Sequence, residues 1–332
     1  MIFAHAMTHA GSNYMRSFYA TVLAGAMIFC PSLFAQQQQP LSFAAIGDGP
    51  YAPEEWPVLA EQLVTESNDP DSAFIVHLGD ITHGTDVLPE WYYIGVAGLL
   101  KISRKPVYVV IGDNEWNDLD DPATGWRLWR KHFEGFHRNF EGTRDTITQP
   151  AQPDNFAFVR NGVLIVGLNI VGGRIHDQAE WTRRHANDLA WVNECLDLYG
   201  DDVRAMVVCA QANPGNPEKH GDFFDPFVER VAAFGKPVLY LHGDGHEYEY
   251  QSPWRAPNLI RVQIDRIGIN PPLLVTVTTN PDKPFLFNRR IAAVSAPPSQ
   301  DASPHSGTAS NPGRAEAGKH RARPFELRRG TR

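Results

Sequence analysis

Four Gly-Asp pairs carry the chemistry legible in this sequence: Gly47-Asp48, Gly79-Asp80, Gly112-Asp113 and Gly243-Asp244. Each closes an apolar run, LSFAAIG, AFIVHLG, PVYVVIG or PVLYLHG. From Asp48 to Asp80 is 32 residues and from Asp80 to Asp113 is 33. Each step is about one βαβ unit, which returns the chain to the same edge of a parallel sheet. Ligands of open α/β sheets bind outside that carboxyl edge. Carboxylates gathered there repel unless a cation sits between them. Two divalent ions roughly 3.5–4 Å apart would satisfy such a set and activate water against phosphate. A single Gly-Asp is ordinary turn chemistry. Gly200-Asp201 follows a helical pattern and Gly221-Asp222 lies in a polar stretch, so neither shares the strand-end context.

The elements that must position these aspartates alternate along the chain. Strand patterns cover 41–47, 73–79, 106–112, 205–210 and 237–243, and helical patterns cover 54–67, 89–103, 125–140, 178–199 and 224–234. A hairpin is expected over 156–170, turning at Asn161-Gly162. Strands over 259–264 and 272–279 complete the pattern. Strands separated by helices predict an α/β domain, and the adjacent late strands predict a second sheet packed on the first.

The folded part is expected over 40–292 of the 332 residues. Before it, residues 18–34 form an uncharged apolar run preceded by Met15-Arg16 and followed by Ala35 and four glutamines. That is the layout of a secretory signal peptide cleaved near Ala35, so 1–35 reads as a leader and the protein as exported, periplasmic or secreted. The alternative is a single anchoring helix, for which the run is barely long enough. Residues 293–332 are rich in Pro, Ser, Gly and Ala and basic near the end, a composition expected to remain disordered. Past the leader only Cys195 and Cys209 remain, either one bridge or two buried thiols. The net charge of -8 gives no general case for a nucleic-acid partner.

Together these residues resemble the calcineurin-like metallophosphoesterase superfamily. Its signature runs Asp-x-His, Gly-Asp, Gly-Asn-His-(Asp/Glu), a later His, and Gly-His-x-His. The corresponding stretches are GDGPY at 47–51, HLGDITHG at 77–84, IGDNEW at 111–116, VVCAQANPG at 207–215 and HGDGHEY at 242–248. The resemblance implies a four-layer α/β sandwich of two mixed sheets flanked by helices. It also implies two divalent metal ions (Mn²⁺, Fe²⁺, Mg²⁺, Zn²⁺ or Ca²⁺) and hydrolysis of a phosphate mono- or diester by metal-activated water. Asp48, Asp80, Asp113, Gln211, Asp244 and His246 take the places of its metal ligands, with Asn213 a neighbouring candidate to Gln211.

The departures from the signature have a chemical direction. Pro50 stands where the first His would be, Asp113 replaces the metal-binding Asn, and Gln211 and Asp244 replace two His ligands. Oxygen donors for imidazoles shift preference toward harder ions. Asn114 replaces the His thought to protonate the leaving group, which leaves it to contact phosphate. His83, on the loop after Asp80, becomes the candidate proton donor. His77 and His242 read as orienting or core residues, and His132, His137, His176 and His185 as surface or packing residues. Tyr51 either faces substrate or packs on its loop, and Trp116 and Trp126 either wall a cleft or join the core. A non-catalytic secreted module binding metal or phosphate is the alternative function.

Overall fold

The computed structural model describes residues 39–84 and 88–291. The leader over 1–35 and the basic tail over 293–332 lie outside these. Among the described residues, no helix is long and apolar enough to cross a membrane.

The first sheet contains β1 (Leu41–Ile46), β2 (Ile75–His77), β3 (Val107–Val109), β11 (Leu273–Val277) and β12 (Phe285–Asn288), in the order β12-β11-β1-β2-β3. The second contains β4 (Ile147–Gln149), β5 (Gln152–Arg160), β6 (Val163–Gly167), β7 (Ala205–Ala210), β8 (Val238–His242), β9 (Glu249–Gln251) and β10 (Leu259–Gln263), in the order β4-β5-β6-β7-β8-β10-β9. Both are mixed. β1, β2 and β3 run parallel, as do β6, β7, β8 and β10, with antiparallel strands at the flanks.

Helices cover both outer faces, giving four layers. α1 (Trp56–Asn68), α2 (Glu90–Leu100) and α3 (Pro122–His132) bury Leu59, Leu63, Val96 and Leu128 against the first sheet. α4 (Gln178–Tyr199) and α5 (Pro217–Phe234) bury Trp191, Val192, Phe223 and Phe227 against the second. Between the sheets, Phe43, Val76 and Tyr108 meet Ile165, Val207 and Leu239 in a core open to neither helix layer. Strands buried on both faces read as the continuous apolar runs that the sequence displays.

Several boundaries differ from expectation for local reasons. The helix expected over 125–140 starts earlier, where Asp121 accepts from the Thr124 N–H and Pro122 opens the first turn. It then stops at His132, and Gly135 takes a φ of 66° before a short 3-10 turn, Phe136–Asn139. α5 begins at Pro217 instead of residue 224, because Asn216 caps it, although 217–222 is too polar to show a helical stripe. The short strands β4, β9 and β12 went unpredicted. The hairpin turn falls at Asn161-Gly162 as expected, with φ of 48° and 70°. Cys195 and Cys209 are two free, buried thiols, which closes the disulfide alternative.

Candidate active site

Both sheets present the carboxyl ends of their parallel strands to one place. β1, β2 and β3 deliver Asp48, Asp80 and Asp113, while β7 and β8 deliver Gln211 and Asp244. Asp48, Asp80 and Asp244 have φ of 52°, 59° and 73°. This left-handed conformation is unusual for a non-glycine residue and persists only where the surroundings over-determine it. Asp113 arrives differently, in a tight turn where its carbonyl accepts from the Trp116 and Asp118 N–H groups at 3.3 and 2.9 Å.

Gln211 ties the acids together. Its Oε1 accepts from the Gly172 N–H at 2.7 Å, which fixes the amide's orientation. Its Nε2 therefore points at Asp80 Oδ2, Asp113 Oδ1 and Asp244 Oδ1, at 3.4, 3.2 and 3.3 Å. Further donors fix the rims: the Asp244 N–H reaches Asp48 Oδ1 at 2.8 Å, the Asn213 N–H reaches Asp244 Oδ2 at 3.0 Å, and the Asn114 N–H reaches Asp80 Oδ1 at 3.3 Å. Gly172 permits this close approach, since a Cβ there would stand 2.9 Å from Asp113 Oδ2 and 3.2 Å from Asp244 Oδ1 and push the carboxylates aside.

Burial and mutual repulsion mark the cluster electrostatically. Burial first, and neighbouring carboxylates second, push Asp113 up to about 7. Burial also raises Asp48 to about 7, against the pull of the Asp244 N–H. Asp80 moves the same way, through burial and then the charges of Asp113 and Glu115. Glu115 is fully buried and raised to about 8, although its Oε1 accepts from the Ile81 and Gly112 N–H groups at 3.2 and 3.1 Å. The sequence shows Glu115 beside the site without its role. It clamps the turns carrying Asp80 and Asp113 from beneath.

A second group forms the rim. The Tyr51 hydroxyl lies 2.7 Å from His246 Nε2, and the Arg266 guanidinium sits 4.7 Å above the Tyr51 ring while pairing with Glu55. Exposed His83 meets the Tyr51 ring edge-on at 6.0 Å, next to Gly84, which packs against Asn114. Tyr51 therefore faces the site, and burial beside Asp80 and Asp48 keeps its phenol protonated. Arg266 was not anticipated. Its signal was available, because a residue just past a strand parallel to β8 must emerge at the same edge. His77 and His242 are buried and bond the Gly49 and Gly243 carbonyls, each at 2.8 Å. Burial lowers them to about 4 and 3, so both are neutral orienting residues. His132 and His185 pair with Glu90 and Asp222, and His176 bonds the Asn117 carbonyl, all away from the acids.

The donor set has the chemistry a divalent ion needs. Oxygen donors converge, burial and their mutual repulsion suppress their acidity, and Asp48 Oδ2 is buried with no hydrogen-bond partner. The arrangement is a different matter. Among the described residues, no group of three or more His, Cys, Asp or Glu is set to hold an ion as the side chains stand. Gln211 Nε2 lies among three of the carboxylates instead. In this arrangement the Gln211 amide donates to the acids while its oxygen accepts from Gly172.

No protein-family model matches the chain, and no curated protein matches it. Solved structures do. The anchor in the inner membrane complex of Plasmodium superposes with a TM-score of 0.50 at 9% identity, covering 75% of this chain and 84% of that one. A dimetal phosphatase from Danio rerio gives 0.49 at 11% identity, over 74% and 98% of the two chains. A 5'-nucleotidase from Candida albicans gives 0.44 at 12% identity, over 74% of this chain and 51% of that one. At 9% identity, the first of these likenesses speaks for the fold alone. The four-layer sandwich of two mixed sheets is the architecture that the sequence motifs implied.

Proposed function

We propose that this chain is an exported, metal-dependent phosphoesterase acting on a phosphate mono- or diester. One observation carries the reading: aspartates from four strand ends of two sheets converge on a single buried acidic cluster, at a cost that a bound cation would offset. Asp48, Asp80, Asp113, Asp244 and His246 would hold one or two divalent ions, once Gln211 yields. A divalent ion there supplies Lewis acidity toward a phosphoryl oxygen and lowers the pKa of water.

The chain's own residues do the rest. Arg266 and the amide of Asn114 bind phosphoryl oxygens, and Arg266 is kept at the rim by Glu55 and the Tyr51 ring. The Tyr51 phenol, protonated across the working pH range, donates a hydrogen bond to developing negative charge. His83, on the exposed side, supplies the leaving group's proton, a role Asn114 cannot fill. Export rests on the leader read over 1–35.

A second reading has one observation in its favour. With Gln211 donating to three carboxylates, the cluster is partly neutralised from within, as suits a module that binds without turnover. Elemental analysis of protein purified with Mn²⁺, alongside rates on a panel of aryl, alkyl and diester phosphates, separates the two. Bound metal with turnover supports the esterase. Bound metal with no turnover on any ester supports the module, and absence of both metal and turnover sinks both.

A further inference from the structure

A cavity of about 670 Å³ lies beside the acidic cluster, between the first turns of α3 and α4 and the turn joining β4 to β5. Its volume is that of small-molecule sites. None of the four clustered aspartates lines it, yet Trp116 and Asn117 belong to the turn that carries Asp113.

The wall is aromatic and rigid. Trp116 and Trp126 stand 4.9 Å apart at 57°, with Trp126 only half-buried. Behind them buried Arg184 lies 5.2 Å over Trp116 and 4.7 Å over Trp181, and Glu180 holds it at 2.9 Å. The guanidinium therefore cannot swing away, and the Trp116 ring is fixed before any ligand arrives.

The wall's three arginines and three acids are unequally engaged. The acids of the wall are engaged: Glu180 with Arg184, Asp177 in capping α4 and Asp154 with the Trp129 indole. Arg130 is engaged as well, by Glu134. Arg183 is exposed, lines the cavity, and makes no ion pair or hydrogen bond among the described residues. The wall thus offers an open indole face and one uncommitted guanidinium. An aliphatic ligand would leave the indole face unused, and of the three arginines and three acids in the wall Arg183 is the one with no hydrogen-bonded or ionic partner among the described residues.

We propose that this cavity binds a planar aromatic group bearing negative charge, stacked on Trp126 and paired with Arg183. The inference does not rest on the phosphoesterase reading. Its occupant is either the aromatic alcohol portion of an ester whose phosphate meets the acids, or a separate aromatic anion.

The test is calorimetric titration of the full chain with 2-naphthalenesulfonate, which cannot be hydrolysed, and with cyclohexanesulfonate as the non-aromatic control. Binding of the naphthalene compound should weaken about tenfold in Trp126→Ala and at least about fivefold in Arg183→Glu. Asp80→Asn should leave it unchanged. Arg183 is exposed, so its variant keeps the test decisive even where Trp126→Ala folds poorly. Equal binding of cyclohexanesulfonate, unchanged affinity in Arg183→Glu, or loss of binding in Asp80→Asn each overturns the proposal. Competitive inhibition of aryl phosphate hydrolysis identifies the occupant as part of the substrate, and binding without inhibition identifies a separate ligand. Both outcomes uphold the site, and neither depends on which ester is turned over.

Discussion

Replacing Gln211 by Leu tests whether one amide holds the acidic cluster together. The substitution keeps much of the volume and removes four polar contacts. The Gly172 N–H loses its 2.7 Å partner at a buried position, which costs about 1–3 kcal/mol. The contacts to Asp80, Asp113 and Asp244, at 3.2–3.4 Å, are long, so each is worth roughly 0.5 kcal/mol, the low end for hydrogen bonds. Together these put the penalty at about 3 kcal/mol in the metal-free protein, or roughly 9 °C in melting temperature for a domain of this size. Thermal denaturation in EDTA reads it. In excess Mn²⁺ the variant should recover at least half of that loss, because a cation now does what the amide did. Gln211→His, which adds an imidazole ligand, should retain more metal than wild type by elemental analysis. A penalty below about 0.5 kcal/mol for Gln211→Leu in EDTA would refute the argument that the amide restrains the acids.

Three further outcomes follow from the same geometry. Asp80→Asn should abolish most metal retention while leaving the far-ultraviolet dichroism unchanged; unaltered metal content would remove Asp80 from the ligand set. Asp113 is raised from 3.8 to about 7, so between those values the native state binds more protons than the unfolded one, and its contribution to stability falls as pH rises. Asp113→Asn should accordingly stabilise the metal-free protein by roughly 2–4 kcal/mol at pH 8.5 and by less than half of that at pH 5, and a gain independent of pH would count against a strained carboxylate. Losing a positioned general acid costs about 10²–10⁴ in rate, so His83→Ala should slow alkyl phosphates far more than aryl phosphates. Asn114→His should then raise the alkyl-to-aryl ratio of kcat/KM, and an unchanged ratio with intact metal binding would take Asn114 away from the leaving group.

Much of the fold was legible because burial on two faces leaves a one-dimensional trace. The strands β1, β7 and β8 are largely apolar runs bounded by turn residues, and α4 was readable to its ends. The strands β4, β9 and β12 left no such trace, because each has three or four residues on a sheet flank and owes its state to its neighbour's hydrogen bonds. The metal-site candidates were legible for a related reason. A repeated Gly-Asp at strand ends is a local signal, and unit spacing converts it into a shared edge.

What the sequence determined by itself was therefore the inventory: the alternation of strands and helices, the four strand-end aspartates, and oxygen donors at the positions where the signature it resembles carries imidazoles. What only the tertiary structure decided was the direction in which each group points. Gln211 stands at a ligand position in the chain, yet Gly172, from a different strand connection, claims its oxygen and turns its nitrogen toward the acids. Arg266 comes from 211 residues beyond Glu55 to clasp Tyr51 with it, and Glu115 bonds two turns at once. Pattern and spacing register what lies within a few residues. Hydrogen-bond polarity, burial and charge coupling depend on partners as distant along the chain as Arg266 and Glu55, 211 residues apart, and those exist only once both sheets have closed on one another.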